Sequence, residues 1–176
     1  MKLLLTCCNI TNHVIIMSMV HINIVCIGKI KETYLKDAID EYSKRLSKYC
    51  VLNIIELTDE VIPNNASLAD EQKIVEFESN KLEKALPKGC NILLDLQGKE
   101  YTSENFAQKI KDLQLTNSTL NFIIGGSLGT SQNLRNICQE RICFSKMTFP
   151  HQLIRVFLLE QIYRSFKINN NEKYHK

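Results

Sequence analysis

The chain has 176 residues, a formal net charge of +3, 44% hydrophobic and 23% charged residues, and only six glycines and three prolines. That length fits one domain around one core, and the balance excludes a disordered, fibrous or low-complexity chain. The charge is too small to establish a nucleic-acid partner by itself, and it does not exclude one.

The opening Met1-Lys2-Leu3-Leu4-Leu5-Thr6-Cys7-Cys8 begins like a secretory signal. Asn9, Thr11, Asn12 and His13 then break the apolar run, and no small-x-small cleavage site follows. The run is also far short of a membrane span. Met17 and Met19 stand just ahead of the first strong strand pattern. Residues 1–18 are therefore expected to be a non-functional extension from an upstream start, and 19–176 a single domain. His21 to Ile27 reads as a strand ending at Gly28, and Glu32 to Tyr49 as a helix with Leu35, Ala38, Ile39, Tyr42 and Leu46 on one face. Its opposite face carries Lys36, Lys44, Arg45 and Lys48, either a solvated surface or one that faces phosphate.

Val51 to Leu57 is a second strand, and a loop with Pro63 and two asparagines follows it. Ser67 reads as the N-cap of a helix with Asp70 and Glu71 in its first turn, ending near Leu86 before Pro87 and Gly89. Asn91 to Leu96 is a third strand, expected to stop at Gln97-Gly98. Thr102 or Ser103 caps the next helix, and Leu120 to Ile124 is a fourth strand ending at Gly125-Gly126. A short helix over about Ser131 to Cys138, a fifth strand over Arg141 to Phe144 and a final helix over about Pro150 to Ile168 complete the chain. Strand and helix alternate throughout, which predicts an α/β fold: a mainly parallel sheet with helices on both faces. In such sheets a ligand sits beyond the carboxyl ends of the strands.

The seven cysteines form no CxxC pair and no Cys/His spacing of a zinc site, so no metal is expected. They read as buried free thiols of a reduced, cytoplasmic protein. Neither a P-loop, a G-x-G-x-x-G after the first strand nor H-E-x-x-H occurs. What remains is concentrated in the last third. Gly125, Gly126 and Gly129 make either a tight turn or a close approach of backbone to a ligand. The loop Phe144-Ser145-Lys146-Met147-Thr148-Phe149 is either a simple connection or a set of backbone groups for an adenine edge, with apolar side chains around the base. His151 and Arg155 lie one turn apart on one helix face. The helix dipole disfavours a protonated His151, which suits either a structural role or a neutral imidazole near a base. The last helix is apolar almost all round, through Leu153, Ile154, Val156, Phe157, Leu158, Leu159, Ile162, Tyr163 and Phe166, so part of it is expected to be covered by another subunit.

Gly125-Gly126-x-x-Gly129, the run Phe144 to His151, Arg155-Val156, Glu160-Gln161-Ile162-Tyr163-Arg164 and the closing Tyr174-His175-Lys176 together resemble the ribosomal RNA large subunit methyltransferase H family, the small single-domain branch of the SPOUT methyltransferases. Ile24 to Glu32 resembles that family's first strand and turn, so the resemblance runs from about Val20 to Lys176. It implies a C-terminal trefoil knot, S-adenosyl-L-methionine bound in the knot, a homodimer, and methyl transfer to N3 of a pseudouridine in helix 69 of 23S rRNA on the assembled ribosome. No metal and no membrane would be involved. Carried onto this chain, it assigns Leu94, Gly125, Phe144, Ser145, Lys146, Met147, Thr148 and Phe149 to the cofactor. It assigns Tyr174 and His175 to RNA held at the partner subunit's site. For the chemistry, His151 is the candidate base and Arg155 the candidate cation for the anionic acceptor. Two rival readings are a non-catalytic ribosome-binding factor of the same fold and a SPOUT enzyme acting on tRNA.

Overall fold

The structure, a computed structural model, describes residues 19–174. The expected extension at 1–18, and His175 and Lys176, lie outside the described residues. Along the chain run β1 (Val20–Ile27), α1 (Thr33–Leu46), β2 (Cys50–Leu57), α2 (Leu68–Ala85), β3 (Cys90–Glu100), α3 (Ser103–Thr116), β4 (Thr119–Ile124), α4 (Gln132–Asn136), β5 (Glu140–Cys143) and α5 (His151–Asn169). The strands form one sheet in the order β2-β1-β4-β3-β5, and every pairing between them is parallel.

A parallel sheet covered on both faces calls for strands that are apolar throughout rather than alternating. β1 meets that demand from Ile24 to Ile27. Ile22, Ile24 and Cys26 enter a core shared with Phe106 and Ile110 of α3 and Leu158, Leu159 and Ile162 of α5. Val25 and Ile27 point the other way, to Leu82 of α2 and Leu134 of α4. The expected two helical layers are therefore present, with α1, α3 and α5 on one face and α2 and α4 on the other. Local signals set the helix starts. Ser67 Oγ accepts from Asp70 N while the Asp70 carboxylate accepts from Ser67 N, a reciprocal capping box. Thr102 and Ser131 cap α3 and α4 in the simpler one-way form.

β3 departs from the expectation that it stops at Leu96. It pairs with β5 as far as Leu94 opposite Ile142, leaves the ladder, and returns with Lys99 opposite the same Ile142. Two residues explain the excursion. Asp95 Oδ1 accepts from Gln97 N at 2.9 Å, a local bond that curls the chain away from its neighbour. Gly98 then brings the chain back against β5 so closely that a Cβ there would lie 2.6 Å from the Ile142 carbonyl carbon. The glycine read as a stop is thus the point of return.

A second feature has no counterpart among the sequence expectations. Asn53, Asn23, Asn121 and Asn91 stand opposite one another on β2, β1, β4 and β3. Asn53 Nδ2 donates to Asn23 Oδ1 (3.0 Å), Asn23 Nδ2 to Asn121 Oδ1 (2.8 Å), and Asn121 Nδ2 to Asn91 Oδ1 (2.9 Å). Asn121 Nδ2 also reaches Pro87 O at 2.7 Å, and Asn91 Nδ2 reaches Ile137 O at 3.4 Å. Asn23 and Asn121 are buried, so the ladder supplies the partners that burial of these amides requires.

α5 lies between α1 and α3, with Phe166 stacked on Tyr49 at 5.4 Å between ring centroids. Its apolar surface is only partly used by its own chain. Leu153 and Val156 remain half-buried and Phe157 is 44% exposed. Cys26, Cys50, Cys90 and Cys143 are buried free thiols and Cys138 is half-buried. Burial pushes the Cys26 and Cys138 thiols up to about 11 and that of Cys50 to about 12, which leaves them unreactive.

Candidate active site

The carboxyl ends of β3, β4 and β5 open into a cavity of about 540 Å3. Three segments wall it: Leu94–Gln97 where β3 leaves the sheet, Ile124–Thr130 after β4, and Ile142–His151 after β5 with Lys146 excepted. Arg135 of α4 and Ile154 of α5 close the ring. Residues about sixty positions apart thus converge because the excursion of β3 and the ends of β4 and β5 lie at the same edge of the sheet.

Of the residues assigned to the cofactor, Leu94, Gly125, Phe144, Ser145, Met147, Thr148 and Phe149 line this cavity. Lys146 does not. Its Nζ donates to Leu96 O at 3.0 Å and so ties the second loop to the β3 excursion from outside. Phe144 is anchored edge-on against Phe106 of α3. Ser145 Oγ accepts from Met147 N at 3.0 Å and rounds off the turn. The Met147 side chain is 70% exposed. Gly125 has a packing reason to lack a side chain: a Cβ there would meet Thr130 Cγ2 at 2.6 Å. The loop folds back on itself at that point, with Gly126 bridged to Gly129.

His151, in the first turn of α5, lines the cavity and rests against the end of β1. Gly28 there has φ +84°, and a Cβ on it would come within 2.8 Å of His151 Nε2. Burial holds the imidazole below its ordinary pKa, and the positive charge of Arg155 lowers it further against the weaker pull of Asp59 and Glu32. His151 is therefore neutral at neutral pH.

Arg155 is not on the cavity wall. Its side chain is 1% exposed. Nη2 donates to Ile27 O (2.6 Å) and Gly28 O (2.7 Å), and Nη1 donates to Glu56 Oε1 on β2 (2.7 Å). With Nη1 and Nη2 so committed and Nε buried, the guanidinium presents no donor to an anionic acceptor in the cavity. Its place is to fix the Gly28 turn and to set the field at His151. The two residues that the sequence placed on one helix face do converge, on Gly28, with different parts to play.

The family model described as "Predicted SPOUT methyltransferase" matches residues 20–175. The chain belongs to the SPOUT methyltransferase family. Ribosomal RNA large subunit methyltransferase H of Clostridium botulinum strain Okra is 56% identical over 158 residues, 89% of this chain and 99% of that one. A chain of Methanococcus maripaludis is 54% identical over the same length. Among solved structures, a probable methylase family protein from Haemophilus influenzae aligns at 12% identity with a TM-score of 0.49, over 88% of this chain and 70% of the other, a likeness that carries no argument of its own.

In this SPOUT methyltransferase the described end of the tail is Tyr174, and it folds onto its own α5. The ring meets Tyr163 edge-on at 5.0 Å, the Arg164 guanidinium lies over it at 4.9 Å, and the hydroxyl donates to Glu160 Oε1 at 3.2 Å. Burial and the Glu160 carboxylate push the phenol up to about 12. His175 lies outside the described residues. Sequence reasoning passed over two charged wall residues, Asp95 and Arg135. They are forty positions apart and neither sits in a recognisable motif, so nothing in the sequence pairs them.

Proposed function

We propose that this chain is an S-adenosylmethionine-dependent methyltransferase of ribosomal RNA, acting on N3 of a pseudouridine in helix 69 of 23S rRNA on the assembled ribosome in the cytoplasm. The observation that carries the reading is the 56% identity to a ribosomal RNA large subunit methyltransferase H across 99% of that relative.

The cavity fits such a donor. Its volume lies in the range of small-molecule sites, roughly 300–1,000 Å3. Leu94, Ile142, Phe144 and Ile154 offer an apolar wall to a purine, and the polar backbone of the 145–149 loop lies beside it. Asp95 and Arg135 offer charge to an amino-acid end. When bound, the donor supplies an electrophilic methyl group on a sulfonium. The chain's own part is to hold the acceptor base in line with that methyl, since orientation alone is worth up to roughly 7–11 kcal/mol, and to take the proton the acceptor nitrogen loses. A neutral His151 on the cavity wall suits the second task. Arg155 acts on it from behind, fixing the backbone it rests on.

The half-exposed apolar strip of α5, Leu153, Val156 and Phe157, supports a homodimer built on that helix. Tyr174, packed on its own α5, would then carry His175 and Lys176 of each subunit toward the other's cavity. The family's trefoil knot would be formed by the segments that wall the cavity. The deciding experiment is methyl transfer to ribosomes that lack the modification, with the product mapped to the nucleotide. Labelling at helix 69 is expected, and labelling confined to tRNA would overturn the assignment.

A further inference from the structure

Two guanidinium groups converge on one carboxylate at the edge of the cavity. Arg135 Nε lies 3.5 Å and Arg141 Nη1 3.4 Å from Asp95 Oδ2. The Asp95 side chain is 6% exposed, and its other oxygen is taken by Gln97 N. The group therefore carries one positive charge more than it can neutralise. Arg141 is 41% exposed and its charge is met by water. Arg135 is placed differently. It lines the cavity, and its Nε is buried without a hydrogen bond. Among the described residues it is the one lysine or arginine on the cavity wall. His151, the other basic group there, is held neutral. A planar guanidinium fork is the side chain best matched to a carboxylate. The remainder of the wall near Leu94, Ile142, Phe144 and Ile154 offers an anion nothing.

We infer that Arg135, aimed by Asp95, receives the α-carboxylate of S-adenosylmethionine and so fixes which way round the donor lies, with its adenosyl end against the apolar wall. Asp95 is a positioning residue in this arrangement. It shares its charge between two arginines and leaves the Arg135 guanidinium incompletely neutralised, a charge that the ligand's carboxylate then meets. The inference rests on the cofactor reading above.

Calorimetric titration of the full-length protein separates the two. Wild type, Arg135→Gln and Arg135→Lys are each titrated with S-adenosylmethionine, with its decarboxylated analogue, and with 5′-methylthioadenosine, which lacks the amino-acid end. Loss of a charge-assisted contact should weaken S-adenosylmethionine binding to Arg135→Gln by about tenfold or more. Binding of the two carboxylate-free ligands should change by less than about twofold, and Arg135→Lys should recover part of the loss. Wild type alone should discriminate against the decarboxylated analogue, so the inference stays testable if Arg135→Gln does not fold. Equal weakening of all three ligands, or a wild type indifferent to the carboxylate, overturns the inference and leaves the cofactor reading standing. A wild type that binds none of the ligands overturns both.

Discussion

A histidine packed against Gly28, one helical turn from a buried arginine, has little room for a second proton. Burial and Arg155 both oppose the imidazolium at position 151, and only Asp59 and Glu32 favour it. The sign of the stability effect follows. The unfolded chain titrates this histidine near the ordinary value of 6.5, whereas the folded chain does so lower. Stability is therefore unaffected well above that value and falls as pH drops through it, because the unfolded state takes up the proton first. Urea unfolding at about pH 7.5 and about pH 5.5 should show a smaller difference for His151→Gln than for wild type. In catalysis, His151→Ala should leave cofactor binding nearly intact and slow methylation by about 100-fold or more, and wild-type turnover would remove the residue from the mechanism. Gly28 is the other half of the arrangement. At φ +84° a side chain is strained, and a Cβ would push on His151 Nε2. Gly28→Ala should cost about 1–3 kcal/mol in denaturant unfolding and lower activity along with it.

Whole elements were legible where a local signal marks their ends. Ser67 with Asp70, Thr102, the Gly125-Gly126 pair and Pro150 each act within a few residues, so the helices and strands they bound were readable from sequence. So were seven of the eight positions assigned to the cofactor, because they lie at strand ends or in the loops that follow. The features that escaped depend on neighbours in space. Gly98 looks like a terminator until Ile142 is seen behind it. The four asparagines are unremarkable singly and form a ladder only once the strand order puts them opposite one another. That ladder pins register. Asn121→Leu removes the bond from Asn23 and the bonds to Asn91 and Pro87. With three polar groups stranded at about 1–3 kcal/mol each, the variant should lose at least roughly 3 kcal/mol of stability. An unchanged midpoint in urea would show that water replaces the lost partners.

At the scale of the molecule, α5 does two jobs. One side fills the core between α1 and α3, and the other presents Leu153, Val156 and Phe157. If a second copy covers that strip, Phe157→Glu should shift the protein toward monomer in sedimentation and reduce methylation with it. Removal of Tyr174, His175 and Lys176 should do the reverse, impairing methylation while leaving the association state close to wild type. Chain order adds a constraint on how such a molecule can be made. Leu158, Leu159, Ile162 and Phe166, which seal one face of the sheet, belong to α5, which follows all five strands in chain order. Until they emerge, Ile22, Ile24, Leu120 and Phe122 have no complete cover. A nascent chain must therefore carry an unsealed apolar sheet until α5 has emerged. Synthesis halted just before α5 should yield a chain that aggregates or is held by chaperones, even though every strand is already present.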